Sequence, residues 1–150
     1  KGEDKVVSRL GVTRQVDIQL PNDSTVMELM QPEKPNAILV DEAQFLSQNQ
    51  VDELYYMTKI YDIPIICYGL RCDFQMQGFP GSTRLLQLAD DIEEMKTICS
   101  CGKKATQNLR LINNIPVFNG VQVAIDNGEN SISYESVCGE CYIKKRQLKR

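Results

Sequence analysis

The amino-acid sequence predicts an α/β fold with a parallel sheet, followed by a small β lobe tied together by cysteines. Three features predict it. The apolar run Ala37-Ile38-Leu39-Val40 has strand length and ends abruptly in Asp41 and Glu42, which suits a strand buried on both faces of a parallel sheet. A stretch of helical periodicity follows, then a second apolar run from Ile63 to Leu70. Strand, helix and strand in this order make a parallel crossover the default. From Cys99 onward the chain turns to short strands, turns and cysteines, with little room for a separate hydrophobic core.

Before the first apolar run the signals are weak. Lys5 to Leu10 suits a short strand and Ser24 to Met30 a short amphipathic turn of helix, with Pro21, Pro32 and Pro35 punctuating the connections. After Phe45, Ser47 with Gln50 three places on forms a capping-box pattern. Val51, Leu54, Tyr55, Thr58 and Tyr61 give that helix an apolar face, widened by Met57 and Ile60. Asp62 and Pro64 close it. A loop rich in Gly, Asp and Phe runs from Arg71 to Gly81, and Ser82 is expected to cap a second helix carrying Leu85, Leu86, Leu88 and Ala89. Glu94 to Ile98 is expected to be a further strand leaving the sheet.

Two constellations carry chemistry. Open α/β sheets bind ligands beyond the carboxyl ends of their strands, and an apolar strand ending in Asp is where nucleotide-binding proteins hold Mg²⁺ near the phosphates. Asp41 and Glu42 fit that position, and they fit equally an acidic cap on the following helix. The second constellation is Cys99-Ser100-Cys101-Gly102 with Cys138-Gly139-Glu140-Cys141. The spacing of the second pair presents two thiolates to one zinc ion, and a Cys₄ structural site is preferred over disulfides or unrelated core cysteines. Such a site would replace the core that this segment lacks. Cys67 reads as core, and Cys72 is unassigned.

With 150 residues, 42% hydrophobic and 25% charged, the chain has the makeup of one soluble domain, or one domain and a small appendage. A net charge of −3 argues against a nucleic-acid binder working by broad phosphate attraction. The basic run Lys144 to Arg150 reads as a solvated helix end or tail. No segment approaches the roughly 18 apolar residues of a membrane span, and no signal-peptide pattern opens the chain, so a cytoplasmic location is expected. There are no histidines, which leaves thiolates and carboxylates as metal ligands. The first residue is Lys rather than Met, and a fragment or processed chain is expected.

Several motifs occur in order: Val-Asp-Glu-Ala-Gln-Phe from Val40, Tyr-Gly-Leu-Arg-x-Asp-Phe from Tyr68, Lys-Thr-Ile-Cys-x-Cys-Gly from Lys96, Asn-Leu-Arg-Leu from Asn108 and Tyr-x-Ser-Val-Cys from Tyr134. In this combination the chain resembles the type II, cytosolic, zinc-containing thymidine kinases, from near Lys5 to about Tyr142. The resemblance implies a P-loop NTPase-like (RecA-like) α/β domain over residues 1–98 and a zinc-binding lobe carrying a lasso loop over residues 99–150. It implies transfer of the γ-phosphate of ATP to the 5′-hydroxyl of thymidine, giving thymidine monophosphate for nucleoside salvage. It also implies a homotetramer with feedback inhibition by thymidine triphosphate (dTTP), and no nucleic-acid or membrane partner.

Laid on these residues, the resemblance makes Asp41 the acid that holds Mg²⁺ through water and Glu42 the catalytic base. Phosphoryl transfer does need a carboxylate near the acceptor oxygen, and adjacent side chains on an extended strand point apart, so one acid would face the metal and the other the acceptor. Leu70, Phe74 and Phe79 match the thymine pocket, Gln44 and Phe45 match residues near the sugar, and Tyr134 is similar to the tyrosine that closes over the nucleoside. Backbone groups between Val123 and Gly128, with Val123 and Ile125 as named positions, would read the base edge. Asn108 lies where the family has a small polar residue near the base. Cys99, Cys101, Cys138 and Cys141 match the zinc ligands, Cys141 standing where some relatives carry histidine.

Two departures accompany the resemblance. No Gly-rich loop ending in Gly-Lys-Ser or Gly-Lys-Thr occurs in these residues, nor does the arginine expected at the acceptor site just ahead of Lys1. The phosphates of ATP then lack their cradle; N-terminal truncation is expected, and so is the absence of useful kinase activity from this chain alone. The lasso segment Ile125 to Tyr134 is also longer than the family's Ile-Gly-Gly-x-x-x-Tyr. A non-catalytic zinc-ribbon module on a remnant nucleotide-binding fold is the competing reading. Another is a P-loop ATPase in which Glu42 activates water. The aromatic loop from Arg71 to Gly81 argues against the ATPase, because water activation needs no base pocket.

Overall fold

The structure, a computed structural model, describes residues 5–7, 13–30, 34–124 and 130–148. Strands β1 (Lys5–Val7) and β2 (Thr13–Gln15) pair antiparallel. Ser24 to Met30 forms one tight turn of 3₁₀ helix at Met27–Met30. The first apolar run supplies β3 (Ile38–Val40), which leads through a turn at Ala43–Phe45 into α1 (Gln48–Ile60). The chain returns as β4 (Ile65–Cys67), parallel to β3 in the register Ile38↔Ile65, Leu39↔Ile66, Val40↔Cys67. The expected parallel crossover is present.

Its burial differs from expectation. Ile38, Val40, Ile65 and Cys67 pack on a core of Val26, Ala43, Leu46, Val51, Leu54, Met57 and Ile63, while Leu39 and Ile66 are 69% and 51% exposed. Alternate strand residues face opposite sides; α1 covers one side, and among the described residues the other side has no such cover. The strands are therefore buried on one face, not two.

Ser47 caps α1 as predicted. Its Oγ accepts the Gln50 N–H at 3.2 Å, and the Gln50 side-chain oxygen accepts the Ser47 N–H at 3.0 Å. Gln50 also donates to the carbonyls of Pro21 and Ser24, which fastens the N-terminal segment to the helix. The buried stripe is Val51, Leu54 and Met57; Tyr55 and Ile60, placed on the apolar face by the sequence, are exposed. Asp62 ends the helix in the left-handed region (φ 53°).

Helix α2 (Pro80–Leu88) starts before the predicted cap. Pro80 takes the first helical position, where its missing N–H costs nothing. Ser82 is consequently inside the helix, where its Oγ accepts the Phe79 N–H and faces the Arg71 carbonyl. Leu85 and Leu88 join the core, and Leu86 is exposed. A Cβ on Gly81 would meet the carbonyl oxygens of Leu46, Ala43 and Gln44 at 2.6, 2.7 and 2.9 Å. The first turn of α2 thus rests directly on the main chain that follows Glu42.

The strand expected at Glu94 to Ile98 does not form. Only Ile98 bridges, to Lys104, across the turn that holds Cys99 and Cys101, and Met95 and Ile98 are exposed because no sheet edge lies beside them among the described residues. Beyond it, β5 (Gln107–Ile112), β6 (Ile115–Val117) and β7 (Ile132–Val137) form an antiparallel sheet in the order β6-β5-β7. Asn113 and Asn114, both at positive φ, make the two-residue hairpin between β5 and β6. The last element, α3 (Gly139–Gln147), ends in the basic run, which was expected as a helix end or tail; its first turn, at the second cysteine pair, was not expected to be helical. It buries Tyr142 against Leu109, Val137, Ala105, Cys99 and Cys138, so this lobe does possess a small core.

Candidate active site and metal centre

β3 delivers Asp41 and Glu42 to the surface, both exposed. Glu42 is not extended, as the strand-end expectation assumed, but left-handed at φ 54°, ψ 36°. A non-glycine residue there is strained, a condition that clusters at functional sites. Its N–H is accepted by Asp41 Oδ1 at 2.9 Å. Its carboxylate accepts the Gln44 side-chain N–H at 2.7 Å, and the Gln44 side-chain oxygen accepts the Leu70 N–H at 3.0 Å. Gln44, only 1% exposed, is therefore a strut between the carboxylate and the end of β4. Gly69 leaves it room, since a Cβ there would meet the Gln44 side-chain oxygen at 2.7 Å.

Phe45 is half-exposed beside the acids and meets Phe79 edge to face at 5.6 Å and 83°. Leu70 is exposed at the mouth of the same turn, and Phe79 is buried. These residues form one cluster with Asp41, Glu42 and Gln44. Phe74, Asn108 and Tyr134 belong to a second, at the junction of the 71–79 loop with the C-terminal sheet. Phe74 is 1% exposed, with the Arg110 guanidinium 3.6 Å from its ring centre. Asn108 donates to the Cys72 carbonyl at 3.2 Å. Tyr134 lies in β7, opposite Arg110, and its hydroxyl accepts the Arg110 Nε–H at 2.9 Å. Val123 is exposed, and Ile125 lies outside the described residues.

Two residues of this junction went unassigned in the sequence. Asp73 is buried, its carboxylate accepting the N–H groups of Gln75 and Gln77 at 2.8 Å and the Gln122 amide at 3.1 Å. Arg110 is buried as well. Both stood inside the quoted motifs; an arginine between two leucines of a short strand was the available signal.

The four cysteines converge. The sulfurs of Cys99, Cys101, Cys138 and Cys141 all lie within 4.8 Å of one another, with Cys101 and Cys138 at 3.6 Å. A tetrahedral zinc with bonds of about 2.3 Å separates its sulfurs by about 3.8 Å, so the set fits that ion. Backbone N–H groups of Cys101 and Cys138 hold the Cys99 thiol down to about 6. The neighbouring sulfurs push Cys141 up to about 12. All six cysteines are free thiols, and the half-buried Cys67, packed on the core as predicted, is pushed up to about 11 by burial.

Comparison with known proteins gives a consistent result. The thymidine kinase family model matches residues 1–142. A thymidine kinase of Shewanella oneidensis is 44% identical over 141 residues, covering 91% of this chain and 72% of that protein. One from Chromobacterium violaceum is 50% identical over 106 residues, 70% of this chain and 56% of that protein. One from Haemophilus influenzae is 43% identical over 150 residues, 96% of this chain and 75% of that protein.

Proposed function

Since the chain belongs to the thymidine kinase family, we propose that it serves transfer of the γ-phosphate of ATP to the 5′-hydroxyl of thymidine, in deoxynucleoside salvage. The observation that carries this reading is the acidic turn. Glu42 is held in a strained conformation by Gln44, exposed, and beside the aromatic pair Phe45–Phe79. A carboxylate so placed takes the proton of the acceptor hydroxyl as its oxygen attacks phosphorus and the β–γ bridging bond breaks toward ADP. Asp41, exposed and at the strand end, would hold through water the Mg²⁺ that accompanies ATP. That ion neutralises charge on the transferred group when bound.

The thymine pocket is assigned to Leu70, Phe74 and Phe79, with Phe45 and Gln44 toward the sugar, and Asn108, Val123, Ile125 and Tyr134 on the lasso side. Gln44 acts chiefly by fixing Glu42, given its burial. Cys99, Cys101, Cys138 and Cys141 would hold zinc, a structural ion that closes the C-terminal lobe. The parallel β3–β4 pair supports a RecA-like P-loop domain over residues 1–98, with the lasso lobe over 99–150. A homotetramer inhibited by dTTP completes the reading, supported by the apolar Tyr55, Tyr56 and Ile60 left on the surface of α1. Among the described residues no helix is long and apolar enough to cross a membrane, and we place the protein in the cytoplasm.

These residues include no Gly-Lys-Ser or Gly-Lys-Thr loop, so their own contribution lies on the acceptor side, and turnover is assigned to them only in company with a phosphate-binding element. Nucleoside binding is therefore the decisive test. Calorimetric titration of the zinc-loaded chain should give thymidine binding and no comparable binding of deoxycytidine. Equal binding of both, or none by folded protein, overturns the assignment.

A further inference from the structure

Arg110 is 2% exposed, and a guanidinium is costly to bury unless its donors are met. Here they are met by two separate segments, β7 and the stretch at residues 121–122. Nε donates to the Tyr134 hydroxyl at 2.9 Å, Nη1 to the Val121 carbonyl at 2.7 Å and Nη2 to the Gln122 carbonyl at 2.6 Å. Its flat face lies 3.6 Å from the centre of the Phe74 ring. A second set of bonds holds the same stretch from the other side. Gln122 donates to Asp73 and Gln75 to the Gly120 carbonyl, at 3.1 and 3.0 Å, while Asp73 ties its own loop through Gln75 and Gln77.

We propose that Arg110 is a positioning residue for nucleoside recognition, setting the spacing between the aromatic loop at Phe74 and the backbone of residues 121–123. The proposal rests on the nucleoside-pocket reading above, and extends it to a residue that touches no substrate. Planar geometry is what the role requires. Two carbonyls from consecutive residues, a phenol oxygen and a ring face are all engaged by one rigid fork, which the point charge of lysine cannot reproduce. An aliphatic residue would fill the space and leave the carbonyls loose.

Arg110→Lys decides the matter, read by thymidine titration, zinc content and amide hydrogen exchange. The variant should keep its zinc and its fraction of competent sites, with thymidine affinity lowered about tenfold, the loss expected for charge-assisted hydrogen bonds. Its preference for thymidine over deoxycytidine should shrink, and amides 120–124 should exchange faster while α1 is unchanged. Unchanged affinity and exchange overturn the proposal. Fewer competent sites at unchanged affinity also overturn it, since that is a purely structural role. Tyr134→Phe, which keeps the ring and removes one acceptor, covers the case in which Arg110→Lys does not fold; exchange at 120–124 must rise there too, and unchanged exchange refutes the positioning role. Should the unaltered chain bind no thymidine, the pocket reading falls, while exchange in the variants still decides whether Arg110 fixes residues 120–124.

Discussion

Gly81→Ala sets two physical effects against each other, and their magnitudes decide the sign. Alanine is favoured over glycine inside a helix by about 1 kcal/mol, so propensity alone predicts stabilisation of α2. The added methyl, however, would stand 2.6, 2.7 and 2.9 Å from three carbonyl oxygens, of Leu46, Ala43 and Gln44. No rotamer change relieves contacts with main chain, and overpacking typically costs about 1–3 kcal/mol. The upper part of that range applies, leaving a net loss of about 1–2 kcal/mol once the helix gain is subtracted. For a domain of this size that corresponds to a melting temperature lower by about 2–8 °C. Gly139 is the control: it occupies the first turn of α3 with nothing within 4 Å of its missing Cβ, and Gly139→Ala should leave melting unchanged or raise it. Thermal denaturation by circular dichroism measures both. A Gly81→Ala chain as stable as the unaltered one would refute the claim that α2 rests rigidly on the turn after Glu42.

Glu42→Asn should lower phosphoryl transfer by the complete kinase about 10²–10⁴-fold, as for loss of a general base; retained turnover contradicts the assignment. Cys138→Ser should abolish stoichiometric zinc by atomic absorption and release the 99–147 lobe to proteolysis; retention of zinc would sink the metal assignment. Zinc binding requires thiolates, so acidification should weaken it, protons displacing the metal as pH falls; competition with a chromophoric chelator at descending pH should show affinity declining throughout. Tyr142→Phe removes the hydroxyl that donates to the Phe74 carbonyl at 2.6 Å and should cost about 1–2 kcal/mol, read as a shifted urea midpoint.

The parts of the fold legible in the sequence were those written in local code. The capping box at Ser47 and Gln50, the stop at Asp62 and the β3–α1–β4 order each depend on a few neighbouring residues. The cysteine cluster was legible because thiol pairs have few alternative uses. Part of what escaped depends on partners distant in sequence, and part on local signals that competed. Leu39 and Ile66 read as buried because an apolar run carries no record of which face is covered. Glu94 to Ile98 has strand composition but, among the described residues, no edge to pair with. Helix α3 was masked by its cysteines, and Pro80 overrode Ser82 as the start of α2. Within the candidate site, the acids announced themselves, whereas the strut made by Gln44 and the clamp made by Arg110 exist only once strands separated by many residues are placed together.

Among the described residues the 71–79 loop links the cysteine cluster to the acidic turn. Cys138 caps the first turn of α3, its sulfur accepting the Cys141 N–H at 3.4 Å. That turn carries Tyr142, which is fully buried, packs edge to face on Phe118 at 5.4 Å and bonds the carbonyl of Phe74. Phe74 is followed by Phe79, which packs on Phe45 beside Glu42. The same loop is held from the sheet by Asn108 at the Cys72 carbonyl and by Arg110 on the Phe74 ring. Because these contacts run in series, loosening the cysteine cluster is expected to shift Tyr142 and, through it, the aromatic loop beside the carboxylate. Zinc in this arrangement would act on recognition through packing, with no part in the chemistry itself.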